Sequence, residues 1–188
     1  NPFEMIKVWE GGLASHGAAI GIPLSIYLLA KKQKDKTVLW ILDRVVIVVA
    51  LAAVLIRLGN LFNSEILGTA TDVPWAFIFA RVDDVPRHPA QLYEAIFYLI
   101  SFIILYFVYY KTDKKAKQGF IFGLFLVLIF GFRFFVEFLK IEQSAFEKGM
   151  FLDMGQLLSI PFIIGGLYFM FRKEKENINK KTKIKTAH

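Results

Sequence analysis

The sequence contains no cysteine among its 188 residues. This absence excludes disulfide bonds, thiolate nucleophiles and cysteine-ligated zinc or iron–sulfur sites. Histidine is also scarce, and its three copies, at positions 16, 88 and 188, are too far apart to form a local metal-binding motif. We therefore expect no metal ion and no other cofactor.

Charged residues are few, at 21% of the chain, whereas apolar residues make up 56% and phenylalanine alone occurs 20 times. Intrinsic disorder requires the opposite composition, with few apolar residues and many charges. A compact soluble domain is also disfavoured, because large exposed apolar patches are typical of proteins that bind membranes or partners. The mean hydropathy of +0.50 indicates a membrane protein.

Long apolar runs account for most of the chain. A helix needs about 20 apolar residues to cross a hydrocarbon core of roughly 30 Å. The sequence predicts five such helices, at about residues 12–30, 38–58, 91–110, 119–139 and 154–171. The predicted fold class is therefore an all-α polytopic membrane protein.

Basic segments follow alternate spans, in KKQKDK (31–36), in KTDKKAK (111–117) and in the tail from residue 172. Five spans place all three segments on one face, which the positive-inside rule makes the cytoplasmic face. The net charge of +7 would also suit nucleic-acid binding. Because the basic runs are short and separated by apolar segments, we expect the lipid bilayer, and no nucleic acid, as a partner.

The longest predicted segment outside the membrane covers about residues 59–90 and faces outward. Within it, VPWAFIFARV (73–82) is rich in aromatic and β-branched residues, which favours strand structure. We predict a transmembrane domain over residues 1–172 that carries this small extramembrane insertion. A basic, disordered cytoplasmic tail is predicted over residues 173–188.

Arg57 ends the second apolar run, and a dense group of polar residues follows it in RLGNLFNSEILG. Ionisable groups in membrane spans cost about 2.5–3.5 kcal/mol on insertion scales and mark functional sites by default. Asn60 shares a helix face with Arg57 if the helix continues that far. The alternative is that Arg57 snorkels to the outer interface. Three further candidate binding residues follow: Asn63, Glu65 and Gly68.

Arg133 and Glu137 lie four residues apart in the fourth predicted span, and so on one helix face. One interpretation is a structural ion pair between helices. The other is a functional site, because the planar guanidinium group suits phosphate. Two buried arginines, Arg57 and Arg133, would then clamp one phosphodiester headgroup.

Two further motifs carry candidate residues. His16, in SHGAAIG, is the only side chain in a predicted span with an ordinary pKa near neutrality, although a packing role is the alternative. RHPAQLYE (87–94) enters the third span, where interfacial anchoring by the tyrosine is the alternative to substrate binding. The candidate binding residues in this motif are His88, Gln91, Tyr93 and Glu94.

Five motifs in this order closely resemble those of bacterial prolipoprotein diacylglyceryl transferases: SHGAAIG, IRLGNLFNSEILG, RHPAQLYE, FRFFVEF and DMGQLLSIP. The resemblance covers nearly the whole chain up to the basic tail. The family has seven spans, so this chain resembles a member without about two N-terminal helices. Two motifs depart from the common pattern without touching the polar groups. Ile56 precedes the arginine where many members have glycine, and Ala18 and Ala19 stand where many members have HGGLIG.

The resemblance implies an enzyme of the bacterial inner membrane. Such an enzyme moves the diacylglyceryl group of phosphatidylglycerol to the lipobox cysteine thiol of a prolipoprotein signal peptide, the first step of lipoprotein maturation. The resemblance implies that Arg57 and Arg133 bind phosphate and that Asn60 supports them as a hydrogen-bond donor. It also implies that Glu137 orients Arg133 or contacts glycerol. His16 would be the base. An alternative function is a small membrane transporter with an intramembrane Arg/Glu site.

Overall fold

The structure is a computed structural model that describes residues 15–33, 36–113, 117–141 and 152–173. The chain divides into two compact units, residues 1–42 and residues 43–188. Seven regular elements follow one another: α1 (Ser15–Lys32), α2 (Val38–Asn63), β1 (Phe77–Ile78), β2 (Pro86–Arg87), α3 (Ala90–Lys111), α4 (Phe120–Val136) and α5 (Met154–Phe171). A 3₁₀ turn, Glu137–Leu139, extends α4.

The first unit contains α1, which ends with Lys31 and Lys32 in its last turn. Cations at this end of a helix are favoured by the helix dipole. His16 lies in the first turn of α1, but its side chain lies outside the described part of the structure. Its predicted role as the base therefore stays a prediction.

Within the residues that the structure describes, four helices are long and apolar enough to cross a membrane: α2, α3, α4 with its 3₁₀ turn, and α5. They confirm four of the predicted spans, and the first predicted span coincides with α1. The all-α polytopic class is thus correct. The second span is longer than predicted, because α2 continues to Asn63, which places Arg57 and Asn60 on one helix face.

Small residues allow α4 and α5 to pack closely. A Cβ atom added to Gly123 would lie 2.6 Å from the carbonyl oxygen of Gly166, and one added to Gly166 would lie 2.7 Å from the carbonyl oxygen of Gly123. Glycine is thus required at both positions by backbone contact. The core around this pair includes Tyr98, Leu105 and Ile121, which are almost fully buried.

A buried carboxylate joins α2 to the beginning of α4. Asp43 of α2 accepts hydrogen bonds from the backbone amides of Gly119, at 2.7 Å, and Phe122, at 2.8 Å. Amides in the first turn of a helix have no partner within the helix, so an acceptor there stabilises the helix end. The side chain of Asp43 is 1% exposed, and its two hydrogen bonds compensate for that burial.

The segment between α2 and α3 forms a small unit with little regular structure. β1 and β2 pair antiparallel, with Phe77 opposite Arg87. Of the strand-like residues 73–82, only Phe77 and Ile78 form a strand, so the predicted insertion is present with less strand than its composition indicated. Gly68 forms an antiparallel bridge with Lys140, which ties this unit to the end of α4.

Most of the predicted tail lies outside the described residues, which end at residue 173. The same applies to residues 142–151 of the loop before α5. The predicted division into a domain over 1–172 and a tail over 173–188 therefore stays a prediction.

Candidate active site

A buried ion pair joins α2 to α3. Arg57 Nε lies 3.1 Å from Glu94 Oε2, and the two side chains are 12% and 0% exposed. The N–H group does not meet hydrogen-bond geometry, since Glu94 Oε2 has no hydrogen-bond partner in the described structure. The contact is thus a buried ion pair that positions the guanidinium group.

Lys140 continues this network to the end of α4. Its Nζ atom lies 3.1 Å from Glu94 Oε1 and 3.1 Å from Glu137 Oε2, and its side chain is 2% exposed. The bridge between Gly68 and Lys140 holds the lysine backbone in place. One buried ammonium group therefore joins two carboxylates from different helices.

Glu137 lies where α4 tightens into the 3₁₀ turn, and its carboxylate packs against the first turn of α5. A Cβ atom added to Gly155 would lie 2.5 Å from Glu137 Cδ. The N-terminal end of a helix carries partial positive charge, which favours a carboxylate there. The first turn of α5 is stabilised by a capping box between Asp153 and Gln156.

Tyr98 lies one helical turn after Glu94 and completes the network. Its hydroxyl donates to Glu94 Oε1 at 3.2 Å, and Arg57 Cζ lies 6.0 Å from its ring centroid. Glu94 Oε1 thus accepts from both Tyr98 and Lys140. Arg133 is close enough to the Tyr98 hydroxyl to interact with it electrostatically.

Arg133 differs from the other two cations of this network. It is half-buried, and it forms no ion pair with any carboxylate in the part of the chain that the structure describes. The predicted alternative of an ion pair with Glu137 is not found there, because Glu137 binds Lys140 instead. The positive charge of Arg133 is therefore not neutralised by a described neighbour.

A second cluster forms where α2 ends. Asn60 Nδ2 donates to Glu65 Oε2 at 2.7 Å, and Gln91 Nε2 donates to the backbone carbonyl of Glu65. The backbone on both sides of Glu65 is left-handed, with φ of 57° at Ser64 and 55° at Ile66. Such a conformation is unfavourable for a β-branched residue and is found most often at functional sites.

The predicted role of Asn60 as a donor to phosphate stays a prediction. Glu65 offers only acceptors to the Asn60 amide, so Nδ2 faces Glu65. The other amide atom, Asn60 Oδ1, is buried and has no donor in the described structure. Asn60 therefore retains this acceptor and the second N–H group of Nδ2.

His88 and Tyr93 form a chain of hydrogen bonds with Trp75 of the extramembrane unit. Trp75 Nε1 donates to the Tyr93 hydroxyl at 2.8 Å, and that hydroxyl lies 3.2 Å from His88 Nδ1. Because Trp75 fills an acceptor position of the hydroxyl, the Tyr93 proton is free to be donated to His88. These hydrogen bonds thus hold the extramembrane unit to α3, while interfacial anchoring and substrate binding by Tyr93 both stay predictions.

Gly68 and Asn63, two predicted binding residues, differ in their surroundings. A Cβ atom at Gly68 would collide with the His88 carbonyl oxygen, so the structure shows a packing reason for glycine. Asn63 ends α2 and is exposed. Contact of either residue with substrate stays a prediction.

Glu137 and Lys140 also line a cavity of 530 Å³, together with Arg87 and Asp153. This volume lies within the usual range for small-molecule sites. Arg87 is held there by Asp83, with 2.6 Å between Nη2 and Oδ2. Glu137 and Lys140, at one end of the ion-pair network, therefore border an open cavity.

Sequence reasoning missed Lys140, which the structure places at the centre of the network. The signal was present, because Lys140 lies three residues after Glu137 in RFFVEFLK, at helical spacing. Because Lys140 directly follows the predicted end of the fourth span, it was assigned to the next loop. Among the described residues, no cluster of histidine and carboxylate side chains is arranged to hold a metal ion.

Comparison with known proteins decides the family. The sequence model of the family described as "Prolipoprotein diacylglyceryl transferase" matches residues 1–172. The chain belongs to this family. The prediction made from the five motifs is therefore confirmed.

Curated relatives of the chain carry the name phosphatidylglycerol–prolipoprotein diacylglyceryl transferase. The relative from Tolumonas auensis is 46% identical over 176 residues, which cover 94% of this chain and 68% of the relative. The one from Chloroherpeton thalassium is 47% identical over 182 residues, covering 97% and 68%. The one from Bacteroides fragilis is 54% identical over 160 residues, covering 85% and 57%.

Membership of the prolipoprotein diacylglyceryl transferase family agrees with the four helices that are long and apolar enough to span a membrane. The chain is a multi-pass membrane protein of a transferase family. The relatives' names give phosphatidylglycerol and prolipoprotein as their substrates. The ion-pair network of α2, α3 and α4 is formed by residues within the matched range.

Proposed function

We propose that the chain transfers the diacylglyceryl group of phosphatidylglycerol to the lipobox cysteine thiol of a prolipoprotein signal peptide. The cysteine sulfur forms a bond to the glycerol carbon that carries the phosphate, and the bond from that carbon to the phosphate oxygen breaks. The electron pair stays with the oxygen, so glycerol phosphate leaves. The thiol proton passes to a base, and the product is a thioether.

The observation that carries this proposal is the charge arrangement of the network. Arg57 and Lys140 are paired with Glu94 and Glu137, whereas Arg133 has no ion pair among the described residues. A phosphodiester brings one negative charge, which matches the surplus charge of Arg133. Ionisable groups in a membrane protein are costly unless they pair or serve function, and a lipid phosphate provides the missing partner.

The arginines act on the charge that develops during the reaction. Negative charge grows on the leaving phosphate as the carbon–oxygen bond breaks, and preorganised cations in a dry site stabilise such charge strongly. Arg57 and Arg133 bind the phosphate in this proposal, because each guanidinium offers a planar set of donors. Glu94 positions Arg57 by ion pairing, and Lys140 joins Glu94 to Glu137.

His16 accepts the thiol proton in this proposal. An imidazole has an ordinary pKa near neutrality, which suits a general base. The family resemblance of SHGAAIG supports this role. The thiol itself comes from the substrate, so the enzyme needs no cysteine of its own.

The membrane location follows from the same proposal. The transferase domain over residues 1–172 lies in the bacterial inner membrane, with the bilayer as its partner. The basic tail over 173–188 lies on the cytoplasmic side, as the positive-inside rule indicates. The network and the extramembrane unit then lie toward the outer face, where a prolipoprotein signal peptide exposes its lipobox after export.

A transfer assay tests the proposed function. The full chain in liposomes that contain phosphatidylglycerol receives a signal peptide with a lipobox cysteine, and mass spectrometry measures the gain of a diacylglyceryl group. We expect the gain only with phosphatidylglycerol. A peptide with serine in place of cysteine is the matched control and should gain nothing. Absence of the product from the cysteine peptide would contradict the proposed function.

A further inference from the structure

The extramembrane unit exposes large apolar side chains beside the end of α2. Trp75, Ile78 and Val82 are 58%, 57% and 53% exposed, and Phe62, in the last turn of α2, is 76% exposed. We call these four residues the apolar patch. Exposed apolar groups gathered in this way mark a surface that contacts a partner or a lipid phase.

The direction of Ile78 follows from strand geometry. Successive side chains of a strand point to opposite faces, and β1 consists of Phe77 and Ile78. The Phe77 ring centroid lies 6.3 Å from that of Phe79, which is buried. Phe77 therefore faces the side of Phe79, and Ile78 faces the outside. Val82 is close along the chain, because its amide donates to the Phe79 carbonyl at 2.7 Å.

Two hydrogen bonds tie this segment to the ends of two apolar helices. Trp75 Nε1 donates to the Tyr93 hydroxyl at 2.8 Å, and Tyr93 lies in the first turn of α3. Arg81 Nη1 donates to the Phe62 carbonyl at 3.3 Å, in the last turn of α2. Both helices are long and apolar enough to cross a membrane. Residues 75–81 are thus held at the level where these helices leave the bilayer.

The length of α2 gives the depth of Phe62. Arg44 is the first cation of α2, and long basic side chains near a helix end extend to the membrane interface. Counted from Arg44, the about 20 residues that a hydrocarbon core requires reach Asn63, where α2 ends. Phe62 therefore lies at the edge of the hydrocarbon core, and the segment tied to it by Arg81 lies at the same edge.

The Trp75 indole is oriented as an apolar surrounding requires. Its N–H group is its only polar group, and that group is turned inward to Tyr93. The exposed part of the ring is therefore purely apolar. Tryptophan is enriched at membrane–water interfaces. The exposed Arg81 suits the same place, because its stem covers apolar surface while its charged end reaches the headgroups.

We propose that the extramembrane unit dips into the bilayer through the apolar patch, in the leaflet where α2 ends and α3 begins. Lipid covers Trp75, Ile78 and Val82, and this covered surface continues into the lipid-facing surface of α2 at Phe62. The insertion between α2 and α3 is therefore an element of the membrane interface. The inference concerns the position of the unit in a multi-pass membrane protein, so it stands whether or not the chain transfers a lipid.

Single cysteines test this proposal, because the chain has none of its own. Val82→Cys and its matched control, Asp72→Cys, each receive a fluorescent label, and each full chain is placed in phosphatidylcholine liposomes. Both positions are exposed residues of the same unit. Quenching is measured with a nitroxide lipid and with iodide on both sides of the membrane. We expect the nitroxide lipid to quench the label at 82 more than the label at 72, and iodide to show the reverse.

Three results would overturn the proposal. Equal quenching patterns at positions 82 and 72, with iodide the stronger quencher, would place the patch in water. Protection of position 82 from both quenchers would show that protein covers it, either a second copy or another part of the chain. Iodide quenching that disappears when a lipobox peptide is added would make the patch a peptide-binding surface.

Trp75 gives an independent measurement without a label. In the double variant Trp9→Phe/Trp40→Phe, Trp75 is the only tryptophan. Brominated phosphatidylcholine quenches an indole that it contacts. We expect a loss of fluorescence in brominated liposomes relative to unbrominated ones, and an emission maximum shifted to the blue. Equal fluorescence in both lipids, with the emission of an indole in water, would overturn the proposal.

Discussion

Arg57 of α2 and Glu94 of α3 form a buried ion pair, with 3.1 Å between Nε and Oε2. The pair has two consequences. Glu94 fixes the position of a guanidinium that would otherwise be free in an apolar bundle, and its charge compensates Arg57 when no lipid is bound. In the proposed function, the guanidinium group held in this way binds the lipid phosphate.

The shape of the Arg57 side chain should matter more than its charge. In Arg57→Lys the positive charge remains, but the planar set of donors is lost. We expect kcat/KM to fall about 10²-fold, the usual loss when one donor to a developing oxyanion is removed, while the protein still folds. A transfer assay beside a thermal unfolding curve checks this. Ordinary turnover in the lysine variant would leave simple charge as the only role of Arg57.

Lys140 should be a structural requirement of the network. Lys140→Met leaves Glu94 and Glu137 without the ammonium that lies between them, and breaking a buried ion pair in this way typically costs about 3–5 kcal/mol. We expect a large fall in the unfolding temperature in detergent. Lys140→Arg keeps the charge and should retain most of the stability. A methionine variant as stable as the parent would show that the ion pairs contribute little.

The helices could be predicted from composition because a membrane span is a long apolar run, and four helices of the described residues are such runs. The end of α2 could not be placed, since Leu61 and Phe62 continue the apolar pattern beyond the predicted boundary. Composition also overestimated the number of strand residues in the extramembrane unit. Residues 73–82 have strand-like composition, but only Phe77 and Ile78 find a partner strand.

The candidate site could be predicted residue by residue but not pair by pair. Charged residues in apolar runs identified Arg57, Arg133 and Glu137, and motif spacing added Glu94. Sequence spacing placed Arg133 and Glu137 on one helix face and left a structural ion pair and a phosphate site as alternatives. The structure pairs Glu137 with Lys140 instead, because α4 tightens into a 3₁₀ turn at Glu137. Contacts between helices depend on how the helices pack, and the spacing of residues along one helix does not predict this packing.

Glycine at position 68 should be required for folding. A methyl group there would collide with the backbone oxygen of His88, which cannot move as a side chain could. Gly68→Ala should therefore lower the unfolding temperature and the yield of folded protein. Gly131→Ala is the control, because a Cβ at Gly131 meets nothing within 4 Å of described residues, and alanine favours the helix by about 1 kcal/mol. Equal stability of the two variants would contradict the packing role.

The extramembrane unit should loosen at acidic pH. The hydrogen bond from Arg87 lowers the pKa of Asp83 below its usual value of 3.8. The folded-state pKa is therefore below the unfolded one, so the pair stabilises the unit fully above about pH 3.8 and loses this effect as the pH falls through the folded pKa. Arg87 stays charged throughout.

Hydrogen exchange measures this effect at the amides of Thr71 and His88, which bond within the unit. Exchange rates are corrected for their intrinsic pH dependence. The parent should be better protected than Asp83→Asn at pH 6, and the difference should shrink below pH 3.8. A difference that stays constant across this range would show that the charge of Asp83 has no part in holding the unit.

The most direct test of the proposed function measures the release of glycerol phosphate together with lipidation of the peptide. Arg57 and Arg133 are assigned to a phosphate that leaves as glycerol phosphate when the lipobox sulfur bonds to the glycerol carbon. The full chain, phosphatidylglycerol labelled in its headgroup glycerol, and the lipobox peptide are incubated together, and labelled glycerol phosphate and diacylglyceryl-peptide are counted in the same samples. The account predicts that the two products appear in equal amounts, and that both fall together in Arg133→Lys. Lipidated peptide without an equal amount of glycerol phosphate, or Arg133→Lys turning over as the parent does, would contradict it.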